Sequence, residues 1–132
     1  MSSDPRVVVT GVGVVSSIGV GVEACWRSLL AGKSGITAIK SFDASDMRCQ
    51  IAGEIPNFEI TDYMSPKEAR RLDVFCHYAV AAADEALAMS GIDVNVVDLN
   101  RAGVYVGCGI GGIRTLQDQA VILHERGPSK SS

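Results

Sequence analysis

Several things are missing from this sequence, and each absence excludes a class of protein. There is no excess of positive charge. The formal net charge of -3 over 132 residues offers nothing that would draw nucleic acid. There is no run of about 18 apolar residues to span a membrane, and the N-terminus lacks the basic stretch and apolar core of an export signal. The four cysteines, Cys25, Cys49, Cys76 and Cys108, form no CxxC pair and no cluster with metal-ligand spacing. The two histidines, His77 and His124, have no cysteine or carboxylate at a ligand spacing, and each is expected on a helix surface or edge. Neither a metal nor a cofactor is expected. Internal repeats and low-complexity tracts are also absent. With no export signal, a reduced cytoplasmic setting is expected, and Cys25, Cys49 and Cys76 read as small core residues.

What is present is ordinary globular material: 47% apolar and 20% charged residues, enough for one domain with a modest core. Residues 6–15, RVVVTGVGVV, are rich in β-branched side chains on both faces, which predicts a strand buried between helix layers. Val22, Cys25, Trp26, Leu29 and Leu30 then recur at helical spacing, and Gly32 supplies a left-handed stop. A long excursion over 33–64 contains a short predicted strand around 50–55. Ser65, Pro66 and Glu68 form a helix start with a capping box. An apolar stripe follows at Leu72, Phe75, Cys76, Ala79, Val80, Ala83 and Leu87, ending at Gly91, and its alanines suggest close approach to another backbone. Residues 102–106, AGVYV, predict a second buried strand, and a last helix is expected from about Ile113 to Glu125. Alternating strands and helices argue for a parallel or mixed sheet in a layered α/β fold.

Three features could carry chemistry. Gly107, Gly109 and Gly112 satisfy GxGxxG between a predicted strand and a helix, the setting of a dinucleotide-binding turn, but the acidic residue expected about 20 positions on is not in the sequence. Close backbone approach is the stronger reading of both glycine turns. Cys108 sits where a nucleophile could be exposed, yet no neighbour in sequence offers the base or positive field that a thiolate needs. Lys67, Arg70 and Arg71 cluster in the first turns of their helix, where the dipole opposes cations; they are either a solvated face or a docking patch for an acidic partner.

The segments RVVVTGVGVVSSIG at 6–19, WRSLLAGKSGI at 26–36, FDAS at 42–45, SPKEARRLD at 65–73 and GCGIGG at 107–112 together resemble the N-terminal portion of the β-ketoacyl-acyl-carrier-protein synthases. The resemblance runs from Arg6 to Lys130 and is closest to the type II elongating enzymes. It implies a thiolase-like α/β fold, of which residues 1–132 would be the N-terminal part of the first mixed-sheet half. It also implies a decarboxylating Claisen condensation of acyl and malonyl thioesters, in fatty-acid or polyketide synthesis, by a homodimer. The family's catalytic cysteine and two histidines are expected beyond Ser132, so no catalytic residue is expected within this chain and Cys108 is not the nucleophile. By the same resemblance Lys67, Arg70 and Arg71 dock the acidic acyl carrier protein, Lys130 adds a second basic site, and Ile110 lines the acyl pocket. A non-catalytic carrier-binding module and a nucleotide-binding α/β domain are the alternatives.

Overall fold

An irregular segment over 5–14 leads into a hairpin of two short strands, β1 (Val15–Ser16) and β2 (Gly19–Val20), and then into helix α1 (Val22–Leu30). A second hairpin pairs β3 (Thr37–Ala38) with β4 (Ile51–Ala52). A 3₁₀ turn at Ile60–Asp62 precedes the short helix α2 (Pro66–Ala69) and the long helix α3 (Val74–Ser90). A second 3₁₀ turn, Leu99–Arg101, and helix α4 (Ile113–Arg126) follow. The computed structural model describes residues 5–130.

Helix α3 organises the first half of the chain. Its residues Ala82 and Ala86 carry no side chain beyond Cβ, and Gly11 and Gly13 lie directly on them: a Cβ at either glycine would overlap the Ala86 or Ala82 carbonyl oxygen. The close approach expected from the alanines is therefore real, and it uses glycine for space and not for positive φ. Glu85 then reaches across from the same helix face. Its carboxylate accepts from the Val14 N–H at 3.0 Å and from the Val22 N–H at 2.6 Å. Helix α1 starts at Gly21 (φ 87°) with no side-chain cap of its own, so a carboxylate from another helix caps it and meets the positive end of its dipole.

The helix ends agree with the sequence pattern. Gly91 closes α3 in the left-handed region (φ 66°), and Gly32 (φ 61°) follows α1. The predicted single helix from Ser65 to Gly91 is instead two, broken over 70–73. In an unbroken helix the Ala69 carbonyl would accept from residue 73. Here it accepts from the Leu72 N–H at 3.2 Å and from the His77 ring at 2.9 Å, and Asp73 adopts extended dihedrals as the cap of α3. The packed face of α3 also differs from the expected stripe. Ala81 is the most buried residue, and Ala82, Glu85, Ala86 and Met89 meet the first segment, whereas Ala79, Ala83 and Leu87 face outward.

The two predicted buried strands do not form as such. Only Val15 of 6–15 enters a ladder; Val7 is 94% exposed, and in 102–106 Val104 is 93% exposed. A strand needs a neighbour's row of N–H and C=O groups and cover on both faces, and none of the described residues supplies these. No parallel or mixed sheet is therefore present among the described residues; both ladders are antiparallel hairpins. The strand expected near 50–55 is β4, paired with residues that the sequence pattern placed in a loop. Cys25 is buried and Cys76 half-buried, as expected of core residues, but Cys49 is exposed. The accessible surface is 10993 Å². A compact monomer of 13.9 kDa would expose about 6,700 Å², so much apolar surface stays uncovered.

The Glu85 bracket generates the first prediction. Glu85→Ala leaves two part-buried N–H groups without their charged acceptor, and should destabilise the chain by about 1.5–3 kcal/mol in denaturant unfolding. Glu85→Gln, whose one carbonyl oxygen can still accept, should recover part of the loss. An unchanged unfolding midpoint in Glu85→Ala would show that the bracket adds nothing.

Candidate functional site

Helix α2 carries the basic cluster, and its local chemistry decides how free that charge is. The Ser65 hydroxyl accepts from the Glu68 N–H at 3.3 Å, the Glu68 carboxylate accepts from the Ser65 N–H at 3.2 Å, and Pro66 occupies the first helical position. The Ser65 hydroxyl also donates to the same carboxylate. These bonds, the side-chain one foremost, hold the Glu68 carboxyl below its ordinary value of 4.5. Glu68 is thus committed to its own helix start. Among the described residues the one ion pair is Arg27–Glu23 on α1, so Lys67, Arg70 and Arg71 stand exposed without a carboxylate partner. Arg70 donates through Nε to the Pro66 carbonyl at 3.1 Å, which uses one of its five donors. The cluster does not oppose a helix dipole as the sequence pattern suggested. Helix α2 is only 66–69, so Arg70 is its C-terminal cap residue and Arg71 lies beyond it, where cations are favoured.

Two contacts fix α2 on α3. Ala69 is buried, and the His77 ring nitrogen Nε2 donates to its carbonyl. Phe58 stacks on Tyr63 (5.8 Å between centroids) and meets Tyr78 edge to face (5.0 Å), tying the preceding turn to α3. Burial pushes the Tyr78 phenol above its usual range. Beside α2 these elements leave a recess of about 440 Å³ walled by Tyr63, Met64, Leu72 and Val80, with Glu68 and Arg71 at its rim. A larger cleft of about 780 Å³ opens between the hairpins, lined in part by Lys33, Lys40, Glu54 and Tyr78. Its carboxylate is already engaged: Glu54 accepts from the Lys40 and Ser41 N–H groups, both at 3.0 Å.

The other expected site residues lie apart from α2. Ile110 is 76% exposed in the glycine loop before α4. Lys130 stands past the end of α4, and no hydrogen bond or ion pair among the described residues joins it to α2. Cys108 is exposed with its sulfur against Gly111, beside the Phe75 ring. His77 is engaged with Ala69 and His124 is exposed in the last turn of α4, so no cysteine is paired with a histidine among the described residues.

The nucleotide reading fails on electrostatics. Thr115 in the first turn of α4 donates to the Asp73 carboxylate at 2.6 Å, and Asp73 also crowds Gly112. The helix end that would hold a pyrophosphate already holds an anion. Gly107 and Gly109 have open space around them, so the close approach expected of this turn is met at Gly111 and Gly112 only. Glu85, Asp73 with Thr115, and the His77–Ala69 tie had no signal in the sequence, since each joins positions at least eight residues apart.

Residues 4–131 match the family described as beta-ketoacyl synthase, N-terminal domain. The chain belongs to that family. It is 42% identical over 127 residues to a 3-oxoacyl-acyl-carrier-protein synthase 2 of Synechocystis sp., covering 96% of this chain and 30% of the relative. A synthase of the same name from Vibrio cholerae is 44% identical over 130 residues, covering 98% of this chain and 31% of that one. The chain thus spans about a third of the length of these relatives. Its described fold is similar to part of solved ketosynthases. A type II PKS ketosynthase, in complex with its acyl-carrier protein and bound to the hexaketide, superposes with TM-score 0.72 at 26% identity, over 95% of this chain and 32% of that one. The ishigamide ketosynthase/chain length factor gives TM-score 0.69 at 32% identity, over 89% and 30%.

The capping box of this β-ketoacyl synthase segment titrates in a defined direction. Because the Glu68 carboxyl is lowered in the folded state, its contribution is complete above its ordinary value of 4.5 and is lost as pH falls through the lowered one. Amide signals of 67–69 should therefore weaken in acid before α3 melts. Glu68→Gln, which keeps the box without a titrating group, should remove that acid limb. An α2 indifferent to pH below 4.5 would show that the box does not hold the helix.

Proposed function

We propose that this chain serves as the N-terminal part of a condensing enzyme that joins acyl and malonyl thioesters by decarboxylating Claisen condensation, in fatty-acid or polyketide synthesis. The observation that carries this reading is the family match over 4–131, supported by relatives named 3-oxoacyl-acyl-carrier-protein synthase. The nucleophilic cysteine and its histidines come from outside these residues, and the uncovered side chains of 7–9 and 104–106 pack against the other two thirds of a protein of the relatives' length. The complete enzyme is a homodimer. In the full-length protein, turnover of an acyl primer with malonyl-carrier protein, releasing carbon dioxide and a 3-oxoacyl product, tests the proposal. Carrier binding without any acyl-enzyme would favour the second reading, a non-catalytic carrier-binding module, which the unpaired cations of α2 also suit.

Within this function Lys67, Arg70 and Arg71 dock an acidic acyl carrier protein, with Lys130 as a second basic contact. The reading is supported by their lack of any carboxylate partner among the described residues, and by the solved ketosynthase held with its own acyl-carrier protein. Docking charges steer encounter and are screened by salt, with a Debye length of about 8 Å at physiological ionic strength. Reversing Arg70 and Arg71 to Glu should raise KM for the carrier-borne substrate at least about tenfold, with little change for a small pantetheine thioester. Equal responses for both substrates, or none, would reduce the cluster to a solvated face.

Ile110 lines the acyl pocket of the full-length enzyme. A pocket wall discriminates by volume, at about 1–3 kcal/mol per methylene. Ile110→Phe should therefore reject long primers and spare short ones. An unaltered chain-length profile would place Ile110 outside the pocket.

A further inference from the structure

We infer that Asp73 is a positioning residue for acyl-chain specificity: its carboxylate holds the start of α4 and thereby fixes the glycine loop that carries Ile110. The inference rests on the reading of Ile110 as a wall of the acyl pocket, and names what sets that wall in place. Residues 107–112 include four glycines, Gly107, Gly109, Gly111 and Gly112. Such a backbone has little stiffness of its own, so the place of Ile110 is set by what grips the loop from outside. Among the described residues, the start of α3 supplies that grip.

Asp73 is the N-terminal cap residue of α3, with extended dihedrals (φ -70°, ψ 156°). An aspartate at that position ordinarily turns its carboxylate onto an N–H of its own first turn. Asp73 makes no such bond. Its Oδ1 accepts instead from the Thr115 hydroxyl at 2.6 Å, 42 positions on, in the first turn of α4. The other oxygen faces Gly112, where an added Cβ would lie 2.9 Å from Oδ2. The Phe75 ring rests on Gly111, where an added Cβ would lie 2.7 Å from its Cζ. Asp73 and Phe75 thus grip Gly112 and Gly111, the two residues that follow Ile110. The carboxylate that α3 forgoes is used at the start of α4, where the helix dipole favours an anion. Gly112, the cap residue of α4 (φ 74°), has no side chain to serve that end itself.

Chain-length preference separates positioning from helix stability. Acyl-enzyme formation is measured on the full-length protein with short and long acyl-pantetheine thioesters, which bypass carrier docking, and the melting temperature is read beside it. Asp73→Ala should release the loop and raise the kcat/KM ratio of long over short primers about tenfold. Thr115→Val, which keeps the shape and loses the hydroxyl, should give the same shift, and the double variant should add nothing to it. Thr115→Ser, which keeps the hydroxyl, should retain the native ratio. Asp73→Ser tests the helix start alone: serine caps a helix as well as aspartate does, but its shorter side chain does not reach Thr115. It should hold the melting temperature and still shift the ratio. If Asp73→Ser keeps the native ratio, or if Asp73→Ala and Thr115→Val scale short and long primers equally, the contact serves stability only and the positioning role is overturned. If Ile110→Phe shifts the chain-length profile and those variants do not, the pocket reading stands and only the positioning role falls. If Ile110→Phe also leaves the profile unchanged, both fall.

Discussion

The Glu85 carboxylate is the contact on which the first half of the chain depends. One side chain on α3 accepts from the N–H groups of Val14 and Val22, and so pins the irregular first segment and the start of α1 with a single charge. Between those two points the β1–β2 hairpin closes, and the Gly21 N–H reaches back to the Val14 carbonyl at 2.9 Å. The contact is possible because Gly11 and Gly13 let the segment lie on Ala82 and Ala86 without side chains between the backbones. Charge-assisted bonds of this kind are about twice as strong as neutral ones, and here the helix dipole of α1 adds to the attraction.

The engagement of nearby carboxylates in structural hydrogen bonds explains the charge left free around α2. Glu68 is held by Ser65 within its own helix start, and Asp73 is held by Thr115 at the start of α4. Both lie close in sequence to Lys67, Arg70 and Arg71, yet neither forms an ion pair with them. A surface whose nearby anions serve structural ends presents uncompensated cations to whatever approaches. The helix break strengthens this effect, because it moves Arg70 and Arg71 onto the turn between α2 and α3. The same engagement of Asp73 places an anion at the α4 N-terminus, where a phosphate would otherwise be welcome.

The apolar segments around Val7 and Val104 show the opposite situation, in which local sequence asks for something the described residues do not provide. β-branched runs favour strands by packing on a pleated, covered surface, and that surface comes from neighbours distant in the chain.

Sequence by itself determined the local features: the Ser65–Glu68 capping box, the Gly91 helix end, the extents of α1 and α4 within a few residues, and family membership through its motif segments. Each of these depends on residues only a few positions apart, or on patterns written out in order, so each is legible without coordinates. Tertiary structure alone decided the rest. The break at 70–73, the inward face of α3, and the contacts Glu85–Val14, Asp73–Thr115 and His77–Ala69 join residues whose sequence neighbours carry no record of the partner. The alanine-rich α3 illustrates the reason. With small apolar side chains on most of its surface, periodicity could not choose which face turns inward, and the choice fell to the one face where glycine made room and a carboxylate found two N–H groups waiting.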